Sequence, residues 1–342
     1  MRPRISTNHP GQTRIGPQWR QYPSQETTAT ERCPAGLFIG SREWARFSLL
    51  CPIDASSSTD GPRKCLCGIS FEIAPPVSGA VRSAPLALSI PVQPSEYDKL
   101  DRMEDQMWWF AALHANLLLA ARQSQLDELD LPILDAGCGT GGFLSRLARN
   151  YCSKPVIGLD LDFQACQRTA VKSARPVCAG SINDLPFADA ALAGIFSADV
   201  LCHEGVDECR ALRQFYRCLC PSGWLILNLP AYEWMLSRHD AAVSNIRRYT
   251  VTSLRHLLKA VGFHPVYMSY WNAMQFPLMV IKRKLIPARH GAVSDVKPYS
   301  HPAEVVCRAA VAFEAALLQR GVRLPFGGSI LAVAVKRSKN RD

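Results

Sequence analysis

The stretch Ile133-Leu134-Asp135-Ala136-Gly137-Cys138-Gly139-Thr140-Gly141-Gly142 constrains the fold of this chain more than any other segment. An apolar run halts at a carboxylate, a glycine-dense turn follows, and Phe143, Leu144 and Leu147 then recur at helical spacing. That order describes a buried strand feeding a helix through a turn whose bare backbone can lie against a ligand. A turn that only redirects the chain seldom needs so many glycines, so this one reads as a cradle for a nucleotide-like cofactor.

Two cofactor classes fit the cradle. Gly137, Gly139 and Gly142 satisfy the G-x-G-x-x-G pattern of dinucleotide loops, in which a pyrophosphate sits at the helix N-terminus. Asp135, two residues before the first glycine, would repel that anion and favours a ligand bearing positive charge. S-adenosylmethionine carries a sulfonium and an ammonium group at this end. A nicotinamide-dependent (NAD(P)) oxidoreductase is the alternative.

With D-x-G-x-G-x-G at Asp135 to Gly141, the chain resembles the class I S-adenosylmethionine-dependent methyltransferases, in particular the type 11 group. Val156-Ile157-Gly158-Leu159-Asp160 reads as a second buried strand, ending in an acid placed to accept both ribose hydroxyls. Gly180-Ser181-Ile182-Asn183-Asp184-Leu185-Pro186-Phe187 is similar to the family's G-D-A-x-x-L-P-F segment beside adenine. Ser181 replaces the usual acid and Ile182 the usual alanine, and a neutral hydroxyl accepts more weakly than a carboxylate. Arg217-Cys218-Leu219-Cys220-Pro221-Ser222-Gly223 is similar to R-x-L-x-P-G-G, with Ser222 in place of one glycine.

The resemblance implies an α/β, Rossmann-like fold: a seven-stranded, mostly parallel sheet with helices on both faces and a C-terminal antiparallel hairpin. Here that hairpin falls at His264–Trp271 and Ser329–Val335, preceded by a helix that Thr252 caps and Gly262 ends. It also implies cofactor binding by Asp135, Gly137, Cys138, Gly139, Gly141, Asp160, Leu161, Ser181 and Ile182.

In open α/β sheets ligands bind beyond the C-terminal ends of the strands. After the strand Trp224–Leu229 come Pro230-Ala231-Tyr232-Glu233-Trp234, His239-Asp240 and Arg247-Arg248-Tyr249, and a subset of type 11 methyltransferases carries similar elements. That subset also has an upstream W-W-F element, matched at Trp108-Trp109-Phe110. Trp108, Tyr232, Arg247, Arg248 and Tyr249 are accordingly the substrate-side candidates, the arginines as a clamp for a carboxylate or phosphate. His239, with Asp240 or another acid setting its tautomer, is a candidate base, and His203 competes with it. The expected acceptor is a small molecule or lipid-linked group, methylated at oxygen or carbon. Its identity and the oligomeric state stay open. Ser181 and Ser222 leave a third reading, a degenerate cofactor-binding scaffold.

The methyltransferase-like part is placed at 95–338, with a helical insertion at about 272–325 in which Val305, Val306, Ala309, Phe313 and Leu317 share helical spacing. Such an insertion can shape an acceptor pocket or form a dimer contact. Residues 1–94, rich in Pro, Ser, Thr, Gly and Arg, read as a largely disordered extension without the basic and apolar blocks of a secretory signal. Cys33, Cys51, Cys65 and Cys67 lack the second close pair of a structural zinc site, so no metal is expected. Cys138, Cys166, Cys202 and Cys209 lie among apolar neighbours as free thiols, which suits a reducing, cytoplasmic setting.

The net charge of +10 is scattered, with no basic stripe interleaved by aromatics, so nucleic acid is not an expected partner. No apolar run approaches the roughly 20 residues that span a bilayer. Met274 to Ile281, followed by Lys282-Arg283-Lys284, reads either as a core helix ending in cations or as a peripheral membrane contact.

Overall fold

The computed structural model describes residues 94–285 and 299–337, together with three two-residue strands at 49–50, 63–64 and 70–71. Seven strands form the sheet: β1 (Ile133–Ala136), β2 (Val156–Asp160), β3 (Val177–Ala179), β4 (Leu192–Ala198), β5 (Leu219–Pro230), β6 (Phe263–Trp271) and β7 (Ser329–Lys336). Their order is β3-β2-β1-β4-β5-β7-β6, with Leu49–Leu50 adding a short antiparallel strand outside β3. The first five run parallel, and β7 enters antiparallel to both of its neighbours. Every residue of β1 and β2 is buried, which is why both read as continuous apolar runs.

Nine α-helices surround the sheet among the described residues: α1 (Pro94–Met103), α2 (Trp108–Gln123), α3 (Gly142–Asn150), α4 (Phe163–Ser173), α5 (Glu208–Cys218), α6 (Arg238–Ala242), α7 (Val251–Val261), α8 (Phe276–Val280) and α9 (His301–Gln319). One face of the sheet packs Phe143, Leu144, Phe196 and Leu331 under α2 and α3. The other packs Leu134, Ile157, Leu212, Phe215 and Leu254 under α5 and α7.

Several local readings are refined. Thr250, not Thr252, caps α7: its backbone is extended and its hydroxyl accepts from the Ser253 amide at 3.0 Å. On α9 the inward residues are Val311, Glu314 and Leu318, whereas Val305, Val306 and Phe313, which share the helical spacing, face outward. Ser222 adopts φ 65°, the left-handed conformation that explains why a glycine suits this turn. Arg217 donates to the carbonyls of Leu185 (3.0 Å) and Phe187 (2.7 Å), so the R-x-L-x-P segment physically holds the L-P-F loop against the sheet.

Of the expected extension, all but the three short strands and Pro94, which opens α1, lies outside the described residues, as do Cys33, Cys51, Cys65 and Cys67. Cys138, Cys166 and Cys202 are buried free thiols, and Cys209 is half-buried. Among the described residues no helix is long and apolar enough to cross a membrane.

Candidate active site

A cavity of about 1170 Å³ runs along the C-terminal ends of β1, β2, β4 and β5, more than one drug-sized ligand fills. Its first half is built by the glycine turn. Gly137 has φ 88°, and a Cβ there would lie 2.1 Å from Val200, so only glycine fits on both grounds. The Gly137 and Cys138 amides donate to the Leu159 carbonyl at 2.7 and 3.0 Å, and the Thr169 hydroxyl donates to the Gly139 carbonyl at 2.6 Å. The turn is thereby clamped from β2 and α4 before any ligand arrives. Gly141, φ 94°, lies off the cavity wall: it starts α3, and a Cβ there would meet the Thr169 backbone.

Three carboxyl groups meet here. Asp160 accepts from the Gly139 amide at 2.8 Å through Oδ2 and from the Asp162 amide at 3.0 Å through Oδ1, and burial nevertheless pushes it up to about 6. Each oxygen keeps acceptor capacity for a further hydroxyl. Asp135 is pushed up to about 8, first by burial and then by Asp160 and Glu104, and its Oδ2 is buried with no hydrogen-bond partner. Glu104, from the turn between α1 and α2, accepts from the Thr140 hydroxyl at 2.9 Å and from the Gly142 amide at 3.1 Å, with Lys172 paired to it. Its carboxylate therefore occupies the N-terminus of α3. A pyrophosphate has no place there, which removes the basis of dinucleotide binding.

Leu161, 59% exposed, and Ser181 and Ile182 line the same half. Tyr97 on α1 closes it from above, its phenol pushed up by burial and by the neighbouring charges of Asp160 and Asp162. Ion pairs from Asp98 to Arg168 (2.7 Å) and from Asp101 to Lys172 (2.6 Å) tie α1 down on α4.

In the second half Asp199 ends β4 with φ 55°. Both its oxygens accept from the Asn228 side-chain amide, at 3.0 and 3.1 Å, and Asn228 is itself oriented by the Trp271 indole at 2.8 Å. Burial pushes Asp199 up to about 7 against the opposing pull of Asn228 and Arg248. His203, Asn245, Arg248 and His239 complete this wall, with Trp108 and the unpartnered buried Oδ1 of Asn272. Burial lowers His203 to about 4, so its ring is neutral at physiological pH.

Residues 134–227 match the family of type 11 methyltransferase domains. Over that stretch, which runs from β1 into β5 and takes in the glycine turn, the chain is similar to a methyltransferase domain. Over 142 residues it is 32% identical to malonyl-[acyl-carrier protein] O-methyltransferase of Dechloromonas aromatica (strain RCB), covering 41% of this chain and 53% of the relative. Over 143 residues it is 28% identical to the O-methyltransferase cnsE of Penicillium expansum, covering 38% and 51%. The chain thus spans about half the length of the curated relatives it matches. A chain in a Haloferax volcanii complex between the Trm112 methyltransferase activator and a methyltransferase superposes with a TM-score of 0.46 at 19% identity, covering 71% of this chain and 98% of that one.

The substrate-side candidates separate. Trp108, His203, His239 and Arg248 face the cavity. Arg247 does not: its guanidinium donates to the carbonyls of Leu201 (3.2 Å) and Val206 (2.8 Å) and bolsters the loop after β4. Tyr249 is likewise spent on Glu208 at 2.7 Å and Leu201 at 3.1 Å. Tyr232 stacks on Tyr270, 5.1 Å between ring centres, outside the cavity. Asp240 accepts from Ser237 through Oδ2 and pairs with the buried Arg248 through Oδ1, the latter at 2.7 Å.

Proposed function

We propose that this chain is an S-adenosylmethionine-dependent methyltransferase that moves a methyl group to an oxygen or carbon of a small-molecule or lipid-linked acceptor. One observation carries the reading: the half of the cavity at the glycine turn holds a buried carboxyl, Asp135, whose Oδ2 has no protein partner, beside a helix N-terminus already filled by Glu104. A cationic, phosphate-free nucleoside is the ligand such a site accepts. In this assignment Asp160 takes the ribose hydroxyls, Ser181 and Ile182 flank the adenine edge, and Asp135 with Gly137, Cys138 and Gly139 faces the methionine end. Bound there, the sulfonium supplies an already activated methyl group.

This chain's residues then have to orient the acceptor and take its proton. Asp199, fixed by Asn228 at the end of β4, is assigned as the proton acceptor, with His203 and His239 on the same wall. Arg248 stands on that wall with its charge compensated by Asp240 at 2.7 Å. The curated relatives are named O-methyltransferases, which favours oxygen over carbon. Residues 95–338 are taken as the working unit.

The test uses tritiated S-adenosylmethionine and 4-octylphenol as a model hydroxyl acceptor. Transfer is expected to rise with pH until Asp199 is ionised, at about 7, and then to level. Asp199→Asn should cut kcat by about 10²-fold or more while S-adenosylhomocysteine affinity stays within about twofold. Undiminished transfer by Asp199→Asn would move the role to a histidine. An absence of transfer to any hydroxyl or carbon acid across a wide panel would sink the enzyme reading.

A further inference from the structure

Leu278 on α8 and Ile281, which opens the π-helical turn that follows it (Ile281–Leu285), are three residues apart, Met274 lies two residues before α8, and none of the three is buried. The exposures of Met274, Leu278 and Ile281 are 58%, 68% and 45%, far above those of core residues of the same type. Trp234, 53% exposed, stands edge-on to Phe276 with 6.1 Å between ring centres, and the exposed Phe326 leans on Phe276 at 6.2 Å. Leu278 and Ile281 share one exposed side of this segment, and Trp234 and Phe326 gather around Phe276, itself 9% exposed. Soluble surfaces seldom leave such a face uncovered without a use for it.

Its border is basic. Lys282 and Lys284 are exposed just after Ile281, while Arg283 between them turns inward toward Asp240 at 4.0 Å, and Lys284 Nζ donates to the Leu236 carbonyl at 3.3 Å, which fastens the turn close to Trp234 in the chain. Glu233 is the opposing exposed acid in this stretch. Leu278 and Lys282 also line the cavity, so the patch borders the entrance to the acceptor half.

We propose that this face docks on the surface of an anionic lipid bilayer. An apolar centre with an aromatic edge and lysines beside it matches the chemistry of the headgroup boundary. A second copy of this chain, with its net charge of +10, would bring like charge to the same face. Docking does not depend on the methyl donor; on the function proposed above, it would let an apolar acceptor pass from lipid into the cavity past Leu278.

Vesicle flotation of the full chain tests this, with phosphatidylcholine alone and with phosphatidylglycerol added, in the absence of S-adenosylmethionine. Binding to the anionic vesicles is expected to exceed binding to the neutral ones by about tenfold or more and to weaken as salt is raised. Lys284→Glu, and separately Trp234→Ser with Ile281→Ser, should each reduce it by about tenfold, whereas Arg149→Glu on α3 should leave it within about threefold. Calorimetry with S-adenosylhomocysteine checks that the variants are folded and keep the donor site. Equal loss in Arg149→Glu, or no loss in the patch variants, overturns the proposal, as does absence of vesicle binding. A dimer by light scattering that the patch variants convert to monomer would assign the face to a second copy instead.

Discussion

Asp160→Ala is expected to weaken binding of S-adenosylhomocysteine by about tenfold or more, because hydrogen bonds to a charged group typically contribute 1.5 to 3 kcal/mol and tenfold is about 1.4 kcal/mol. Two losses add in this variant. The ribose hydroxyls lose their acceptor, and the Gly139 and Asp162 amides, which donate at 2.8 and 3.0 Å, lose theirs, so the turn loosens as well. Asp160→Asn separates the two, since the amide oxygen still accepts one of these bonds; an intermediate affinity is expected. The check is titration calorimetry alongside a melting curve to show that each variant is folded. An affinity for Asp160→Ala within about threefold of the parent would show that the ribose lies elsewhere.

The second large effect is on pH dependence. Asp135 sits at about 8 in the empty fold, pushed there by burial and by Asp160 and Glu104, and at the ordinary carboxyl value near 4 in the unfolded chain. Between those values the fold holds a proton that the unfolded chain has shed, so stability of the empty protein falls as pH rises through this window and levels above about 8. A cation bound against Asp135 favours its ionised form and reverses the trend. Affinity for S-adenosylmethionine should therefore climb by about tenfold or more from pH 6 to pH 8, with a lower shoulder near 6 from Asp160. Asp135→Asn should bind more weakly and lose the rise toward pH 8, keeping only the shoulder near 6 from Asp160. Calorimetry across that range, with the ligand's thermal upshift as a second readout, decides it; a flat profile in the parent would mean that no positive charge reaches Asp135.

The sequence exposed the donor half well because its determinants are local. A strand that stops at Asp135, a glycine turn and a second strand that stops at Asp160 all lie within one strand-turn-helix-strand unit. Glu104 gave no such signal: it meets Thr140 across 36 positions and reads as one more charge on a solvated helix. Tyr97 was hidden for the same reason. Asp199 was within reach, since Leu192 to Ala198 is an apolar run that halts at a carboxylate just as β1 does. Arg247 and Arg248 show the opposite failure. They are neighbours in one motif, yet only Arg248 faces the cavity, because Arg247 is drawn to the Leu201 and Val206 carbonyls, contacts across more than 40 positions that no local pattern encodes. On α9 a 3.6-residue period located the helix, but the choice between its apolar stripes was made by α2 and the start of α8, which no local pattern encodes.

The charge of the ligand at the glycine turn is the claim on which the rest depends. Titration calorimetry of the parent chain against S-adenosylmethionine and, separately, NADH measures it directly. Saturable one-to-one binding of S-adenosylmethionine with no detectable heat from NADH is the expected result. Binding of NADH, or silence from S-adenosylmethionine at pH 8 where Asp135 is readiest to ionise, would contradict it.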